Sequence, residues 1–390
     1  MSEDEDHFRQ LWQALDQGEL SLFYQPQVAM ATGVVVGVEA LLRWDHPHRG
    51  LLAAEDFLGD AENGDIIEPL GRYVLSQGLA QMADWEAQGL SLRVAVNIGA
   101  RHLLSGHFVD DLSSILAQYP GFAPRLEIEV TETAALTDLT AARQVLVACK
   151  ALGVSVALDD FGTGNASLSY LQNLPADRIK IDRTFVRDLL SDTKDLAIVA
   201  GVVTTARLLE IEMVAEGVES AECGYFLLQL GCPCAQGYGI SQGLPAAAIP
   251  GWIQNYTPDP SWTSWATQRW CPEDYPILMI TLAHTLRVRQ TLAALSDPGA
   301  PAPEHLLHPK AEHRCVLGRW LEGDGAARYA KTVRFLRVKD LHHRLHEEMR
   351  EMVRLKSIGA QAAVEARIPA FDVLTGAIQE ELRNLRMRQE

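Results

Sequence analysis

Between about residue 20 and residue 245, short segments with a two-residue hydrophobic period alternate with longer segments of helical period. The strand-like segments are SLFYQPQVA, VVVGVEALLRW, LRVAVNIG, RLEIEVTE, VSVALDDF, RIKIDRTF, IEMVAEGV and, more weakly, AQGYGIS. Helical patterns lie between them at 66–88, 137–152, 165–173 and 194–210. Strand–helix alternation of this length predicts an α/β fold, most simply a TIM-like (β/α)8 barrel. Only a few residues around Gly33 separate the first two strands, so they should form a hairpin with one strand antiparallel. From about residue 276 the pattern is helical to the end, with breaks at DPGAPAPEHLLHP and near 323–325. The expected organisation is a lead-in helix at 1–19, a barrel at 20–255, a Pro-, Ser- and Trp-rich linker at 256–275 and an all-α helical bundle at 276–390.

Side chains alternate faces along a strand, and the alternation carries the chemistry. In RLEIEVTE, Leu126, Ile128 and Val130 share one face, and Glu127, Glu129 and Thr131 the other. In VSVALDDF, Val154, Val156 and Leu158 oppose Ser155, Ala157 and Asp159; in RIKID, Ile179 and Ile181 oppose Lys180 and Asp182. In a barrel the apolar face meets the helices, and functional groups gather at the C-terminal strand ends. Glu39, Asn97, Glu129, Asp159, Lys180 and Glu216 are therefore expected at one mouth, with Asp160 and Glu132 just past the strand ends. A single acid at a strand end is usually a solvated loop residue. A coordinated set on five or six strands is different, because so many carboxylates in one cleft do not all ionise unaided. Hard divalent cations such as Mg²⁺ or Mn²⁺ suit oxygen donors, and a two-metal site accounts for the adjacent Asp159 and Asp160: one bridges, the other holds the second ion.

Composition adjusts this picture at the edges. The net charge of −17 argues against a DNA-binding surface. Residues 281–390 carry 18 basic and 14 acidic side chains, so the acidity belongs to the first part and the two parts differ chemically. No apolar run reaches the ~18 residues of a membrane span, and MSEDEDHFRQ lacks the apolar core of a signal peptide. The six cysteines show no disulfide spacing. A cytoplasmic protein is expected.

At this point the motifs resemble a known family, the EAL-domain phosphodiesterases that hydrolyse cyclic di-GMP in bacteria. Glu39-Ala40-Leu41 stands inside VEALLRW. YQP at 24–26, VNI at 96–98, EVTE at 129–132, LDDFGTG at 158–164, IKID at 179–182, AEGVE at 215–219 and QGY at 236–238 follow in order. The resemblance covers residues 8 to 255. It implies two Mg²⁺ or Mn²⁺ ions per barrel, the first on Glu39, Asn97, Glu129 and Asp159, the second on Asp159 and Asp160 with Glu216 nearby. It implies that Lys180 orients or deprotonates the attacking water, that Glu132 steadies the loop after Asp160, and that Gln25, Leu41, Arg43 and Gln236 line the substrate site. The implied product is linear pGpG. Asn165 and Ala166 stand where Tyr and Ser are usual, Gly99 where Ser is common, and Gln242 and Gly243 where a basic residue and Pro are common. None of these departures removes a metal ligand.

In the C-terminal part, His342 and His346 are four apart and share a helix face, a common metal-binding spacing. Cys315 to Trp320, CVLGRW, together with this pair resembles the chemoreceptor zinc-binding (CZB) domain, a small helical bundle with a His₃Cys zinc site. The resemblance implies one Zn²⁺ on His284, Cys315, His342 and His346, with Arg287 standing where a Trp is expected. His305, His308, His313 and His343 are expected at the surface, and Cys232 and Cys234 in the core at the barrel end. The function expected is metal-dependent hydrolysis of cyclic di-GMP by a homodimer, regulated by zinc or oxidants through the helical part. The alternative is a catalytically silent cyclic di-GMP receptor.

Overall fold

The structure is a computed structural model, which describes residues 3–59, 64–163, 171, 174–265 and 275–385. Two compact units are present, one of Met1–Arg187 with Ile198–Thr267, the other of Asp188–Ala197 with Gln268–Glu390. The helical pattern expected at 165–173 and the departures at Asn165 and Ala166 lie outside the described residues, Leu171 excepted.

The first unit is a closed mixed barrel. Its strands are β1 (Leu20–Ala29), β2 (Val34–His46), β3 (Gly50–Ala53), β4 (Val94–Asn97), β5 (Leu126–Thr131), β6 (Ser155–Phe161), β7 (Arg178–Ile181), β8 (Glu212–Ala215), β9 (Cys234–Ala235) and β10 (Leu244–Pro245). Strands β2, β4, β5, β6, β7, β8 and β9 run parallel to their neighbours in that order. β1 closes the ring by pairing antiparallel with both β2 and β9. The expected hairpin is therefore the barrel's closure. Gly33 turns it with a φ of 73°, a conformation open to glycine without Cβ strain. β3 and β10 are short antiparallel additions to β2 and β1.

The apolar strand faces are buried, Val94, Val96, Ile128, Val156 and Ile179 completely. The helix Ile67–Ala87 contributes its own apolar stripe through Leu70, Leu75, Leu79 and Met82. Within the segment expected as a linker, Pro260–Trp265 forms a helix. Its Trp262 is buried and donates from Nε1 to the Ala221 carbonyl at 2.7 Å. A Cβ at Gly224 would lie 2.5 Å from the indole ring, so only glycine admits this contact. Of the weak strand expected in AQGYGIS only Ala235 is extended, as the second residue of β9, because the chain turns at Gly237, whose φ is 151°.

The second unit is helical. Its long helices are Tyr275–Ser296, Val333–Ser357 and Ile368–Arg383, with the short Val316–Glu322 set against them. Leu295, Leu317, Val338, Leu345, Met352, Val353, Phe371, Ile378 and Leu382 form its core. Among the described residues no helix is long and apolar enough to cross a membrane.

Candidate active site and metal-binding cluster

The inward faces of β5 and β7 build two ionic layers, because RLEIE and RIKID each place polar groups two residues apart. In the lower layer Arg178 donates to Glu127 at 3.0 Å and to Glu212 at 2.6 Å. Burial pushes the Glu127 carboxyl up despite the neighbouring Arg178 and Arg93. In the upper layer the fully buried Lys180 ammonium lies 2.7 Å from Glu129, 3.1 Å from Asp159, 3.2 Å from Glu39 and 2.6 Å from Glu216.

Four carboxylates thus share one ammonium, and the protonation pattern follows. Burial and the charge of Glu39 drive the Glu129 carboxyl well above its usual range. Burial, with Asp159 and Glu39 adding to it, does the same to Glu216 against the pull of Lys180. Burial also disfavours the Lys180 cation, but its carboxylate neighbours outweigh it and hold the pKa well above the ordinary lysine value. Glu39 goes the other way. Burial opposes its charge, yet Lys180 and the amides of Gln236 and Asn97 hold the carboxyl low. Those amides donate to it at 2.6 Å and 2.8 Å.

The aspartate pair is shaped by a local irregularity. On a regular strand, Asp159 and Asp160 would face opposite ways. The register of β6 against β7 shifts between Leu158 and Phe161, and Asp160 adopts a φ of 52°. Both side chains consequently line one cavity. Burial and the Asp159 charge push the Asp160 carboxyl up to about 7. The Glu132 carboxylate accepts the Gly162 N–H at 2.9 Å, which ties the start of the following loop to β5.

The cavity at this mouth measures about 630 Å³. Of the residues expected there, Gln25, Glu39, Leu41, Arg43, Asn97, Asp159, Asp160, Glu216 and Gln236 line it. Glu129 and Lys180 are buried outside its lining, and Glu132 acts on the loop. Gln25 donates to the Ser241 carbonyl at 2.9 Å, and Gln236 also reaches Glu216 at 3.2 Å. Sequence reasoning left out Asp182, which hydrogen-bonds the Asp160 side chain, although it follows Lys180 on the same strand face. It also left out Glu219 and Tyr238, which enter the lining from loops, and Glu55 and Arg183, which enter it from the short helical turns Ala54–Asp56 and Arg183–Arg187; none carries a periodic signal.

Two oxygen triplets emerge, Glu39–Glu129–Asp159 and Asp159–Asp160–Glu216, each with its donor atoms within 4.8 Å of one another. They share Asp159. Oε1 of Glu129 is buried with no hydrogen-bond partner. An orphaned oxygen, a surplus of carboxylates and an all-oxygen donor set fit hard divalent cations.

The helical unit builds a second, chemically different cluster. Cys315, at the N-cap of Val316–Glu322, accepts the Gly318 N–H at 3.2 Å and lies 3.1 Å from His342 Nε2. Donor atoms of Cys315, His342 and His346 all lie within 4.8 Å of one another. His284 stands beside them, its ring centroid 5.6 Å from that of His342. Burial lowers the pKa of His284 to about 3, of His342 to about 2 and of His346 to about 4. Nδ1 of His346 is buried without a partner. Neutral imidazoles beside a thiol fit zinc.

The family model for the EAL domain matches residues 9–243, more than half of the chain. The chain belongs to the EAL domain family. Residues 282–353 match the chemoreceptor zinc-binding domain. Among curated relatives, the bifunctional diguanylate cyclase/cyclic di-GMP phosphodiesterase MucR of Pseudomonas aeruginosa is 40% identical over 61% of this chain and 35% of its own length. The cyclic di-GMP phosphodiesterase PdeR of Escherichia coli is 37% identical over 64% of this chain and 38% of its own. The chain thus spans well under half of these relatives. The solved PaMucR phosphodiesterase in its c-di-GMP complex is 39% identical and covers 63% of this chain and 99% of its own, with a TM-score of 0.61. The EAL enzyme Bd1971, solved with cAMP and cyclic-di-GMP, is 30% identical over 65% of this chain and 70% of its own, also at 0.61.

Proposed function

We propose that this EAL barrel hydrolyses cyclic di-GMP to linear pGpG in a reaction that depends on two Mg²⁺ or Mn²⁺ ions. The observation that carries the reading is the pair of carboxylate triplets sharing Asp159 at the floor of the mouth. Glu39, Asn97, Glu129 and Asp159 would hold one ion, and Asp159, Asp160 and Glu216 the other. When bound, the ions supply the positive charge an anionic phosphodiester needs and a nucleophilic water near neutral pH. Lys180 acts on the attacking water, Glu132 holds the loop after Asp160, and Arg43 with Gln25, Leu41 and Gln236 bounds the substrate. The helical unit binds one Zn²⁺ through Cys315, His342, His346 and His284, and tunes the barrel within a cytoplasmic homodimer. The test is turnover of purified protein with cyclic di-GMP, followed by chromatography of pGpG, with Mg²⁺ or Mn²⁺, after chelation, and across zinc concentrations. The reading expects turnover that chelation abolishes. Turnover surviving chelation would overturn the two-metal reaction, and binding without turnover would make the barrel a receptor.

A further inference from the structure

The helical unit contains a cavity of about 370 Å³, far more space than one metal ion fills, which opens beside the metal cluster. Its walls are apolar where Val288, Leu306, Val316 and Met349 meet. Arg287, Arg314 and Arg319 also line it. Among the described residues lining the cavity there is no carboxylate, although the chain carries 51 Asp and Glu against 34 Lys and Arg. None of the three arginines has a carboxylate within ion-pair distance among the described residues. The nearby Glu312 is engaged elsewhere, accepting from His343 at 2.8 Å. Arg319 is held in place through Nη1, which donates to the Arg314 carbonyl at 2.8 Å.

Three exposed guanidiniums without counter-charges, set around an apolar recess of ligand size, form an anion-selective mouth over a hydrophobic body. We infer that this cavity binds a small amphipathic organic anion, with its carboxylate or sulfonate against Arg287, Arg314 and Arg319 and its apolar body between Val288, Leu306 and Met349. An inorganic anion would leave the apolar walls unused, and an uncharged hydrocarbon would leave the guanidiniums unpaired. Cys315, His284 and His346 also line the cavity, so an occupant covers one side of the metal-ligand cluster. The rival account is that the arginines serve only to favour the Cys315 thiolate by their charge.

Octanoate is the probe, with octanol as its uncharged counterpart and inorganic phosphate as the bare anion. Binding to the full chain is measured by calorimetry. Location is read from the alkylation rate of Cys315, followed by peptide mass spectrometry on metal-free protein. The expected result is that octanoate binds at least about tenfold more tightly than octanol or phosphate and slows alkylation at Cys315. Arg287→Gln/Arg319→Gln should weaken octanoate by about tenfold or more while octanol is unchanged. Ala311→Phe, which fills the recess from its wall, should block octanoate with the arginines intact and so stands in if the double variant fails to fold. Octanoate binding that is no tighter than octanol, or that leaves Cys315 alkylation unaltered, would overturn the proposal. So would an arginine variant that changes Cys315 reactivity but binds octanoate like the wild type, because the arginines would then act on the thiol alone.

Discussion

Lys180→Met removes the one ammonium that Glu39, Glu129, Asp159 and Glu216 share, all at 3.2 Å or less. Breaking a buried ion pair by deleting one partner typically costs about 3–5 kcal/mol, because the surviving charge stays buried and uncompensated. For a domain of the barrel's size, about 2–4 °C of Tm per kcal/mol converts this into a drop of about 6–20 °C in chelated protein. The carboxylates partly escape by taking up protons, and Glu129 and Glu216 already sit above the usual carboxylate range. In the folded variant they bind more protons than in the unfolded chain, so stability falls as pH rises and the deficit should be larger at pH 8 than at pH 6. Added Mn²⁺ should close most of the gap, since the cations replace the missing charge. Turnover should stay low even then, with kcat reduced more than substrate binding, if Lys180 has the proposed role on the attacking water, an interaction strengthened in the transition state. Calorimetric unfolding of the barrel at pH 6 and 8, with chelator and with Mn²⁺, reads all of this. A chelated Tm equal to that of the wild type, or a gap that Mn²⁺ leaves untouched, would refute the argument.

Asp159→Asn should remove most turnover and weaken both metal sites in a metal titration, whereas Asp160→Asn should weaken only one, since only Asp159 belongs to both triplets. Glu132→Ala frees the Gly162 N–H and should cost about 1–3 kcal/mol locally, seen as faster hydrogen exchange at Gly162 and lower kcat with metal affinity kept. Cys315→Ala and His346→Ala should each bring zinc well below one per chain by elemental analysis; wild-type zinc content in both would remove these ligands from the site. In metal-free protein, His284, His342 and His346 have folded pKa values near 3, 2 and 4, below the unfolded value near 6.5. The unfolded chain therefore binds protons first, and the helical unit should lose about 1.4 kcal/mol per histidine for each pH unit below 6.5. A stability flat between pH 5 and 7 would contradict this.

How far the sequence carries depends on whether a feature is periodic. The inward placement of Glu39, Asn97, Glu129, Asp159 and Lys180 follows from two-residue alternation, and the antiparallel strand follows from the short turn at Gly33. Asp160 is different. Its place in the cavity depends on a register shift and a positive φ, and alternation alone sends it to the opposite face. The helix Ala221–Leu230 hides for another reason: it is apolar on most sides because Trp262 covers the face around Gly224, so no amphipathic stripe appears. Tyr238 and Glu219 reach the cavity from loops, where only the folded backbone decides which way a side chain points. The helical cavity is least visible of all, since its arginines are separated in sequence and become a group only when the helices pack.

The two metal-type clusters differ in a way that bears on how one chain would keep two kinds of ion apart. The barrel offers carboxylate oxygens in numbers that leave negative charge unmatched, which favours hard cations tolerant of oxygen and water. The helical cluster offers imidazoles held neutral by burial and a thiol aimed at them, which favours zinc over magnesium by ligand softness as much as by affinity. Zinc nonetheless binds carboxylates too, and by intrinsic affinity it outcompetes manganese at nitrogen and oxygen sites. An excess of zinc beyond the helical cluster would therefore occupy the Asp159 triplets as well. Any inhibition by zinc then has two separable sources: one that saturates at one ion per chain and vanishes in Cys315→Ala, and one at higher concentration that survives this change and is relieved by Mn²⁺. Only the first is regulation through the helical unit; zinc inhibition of the second kind alone would leave the cluster at Cys315 a structural site.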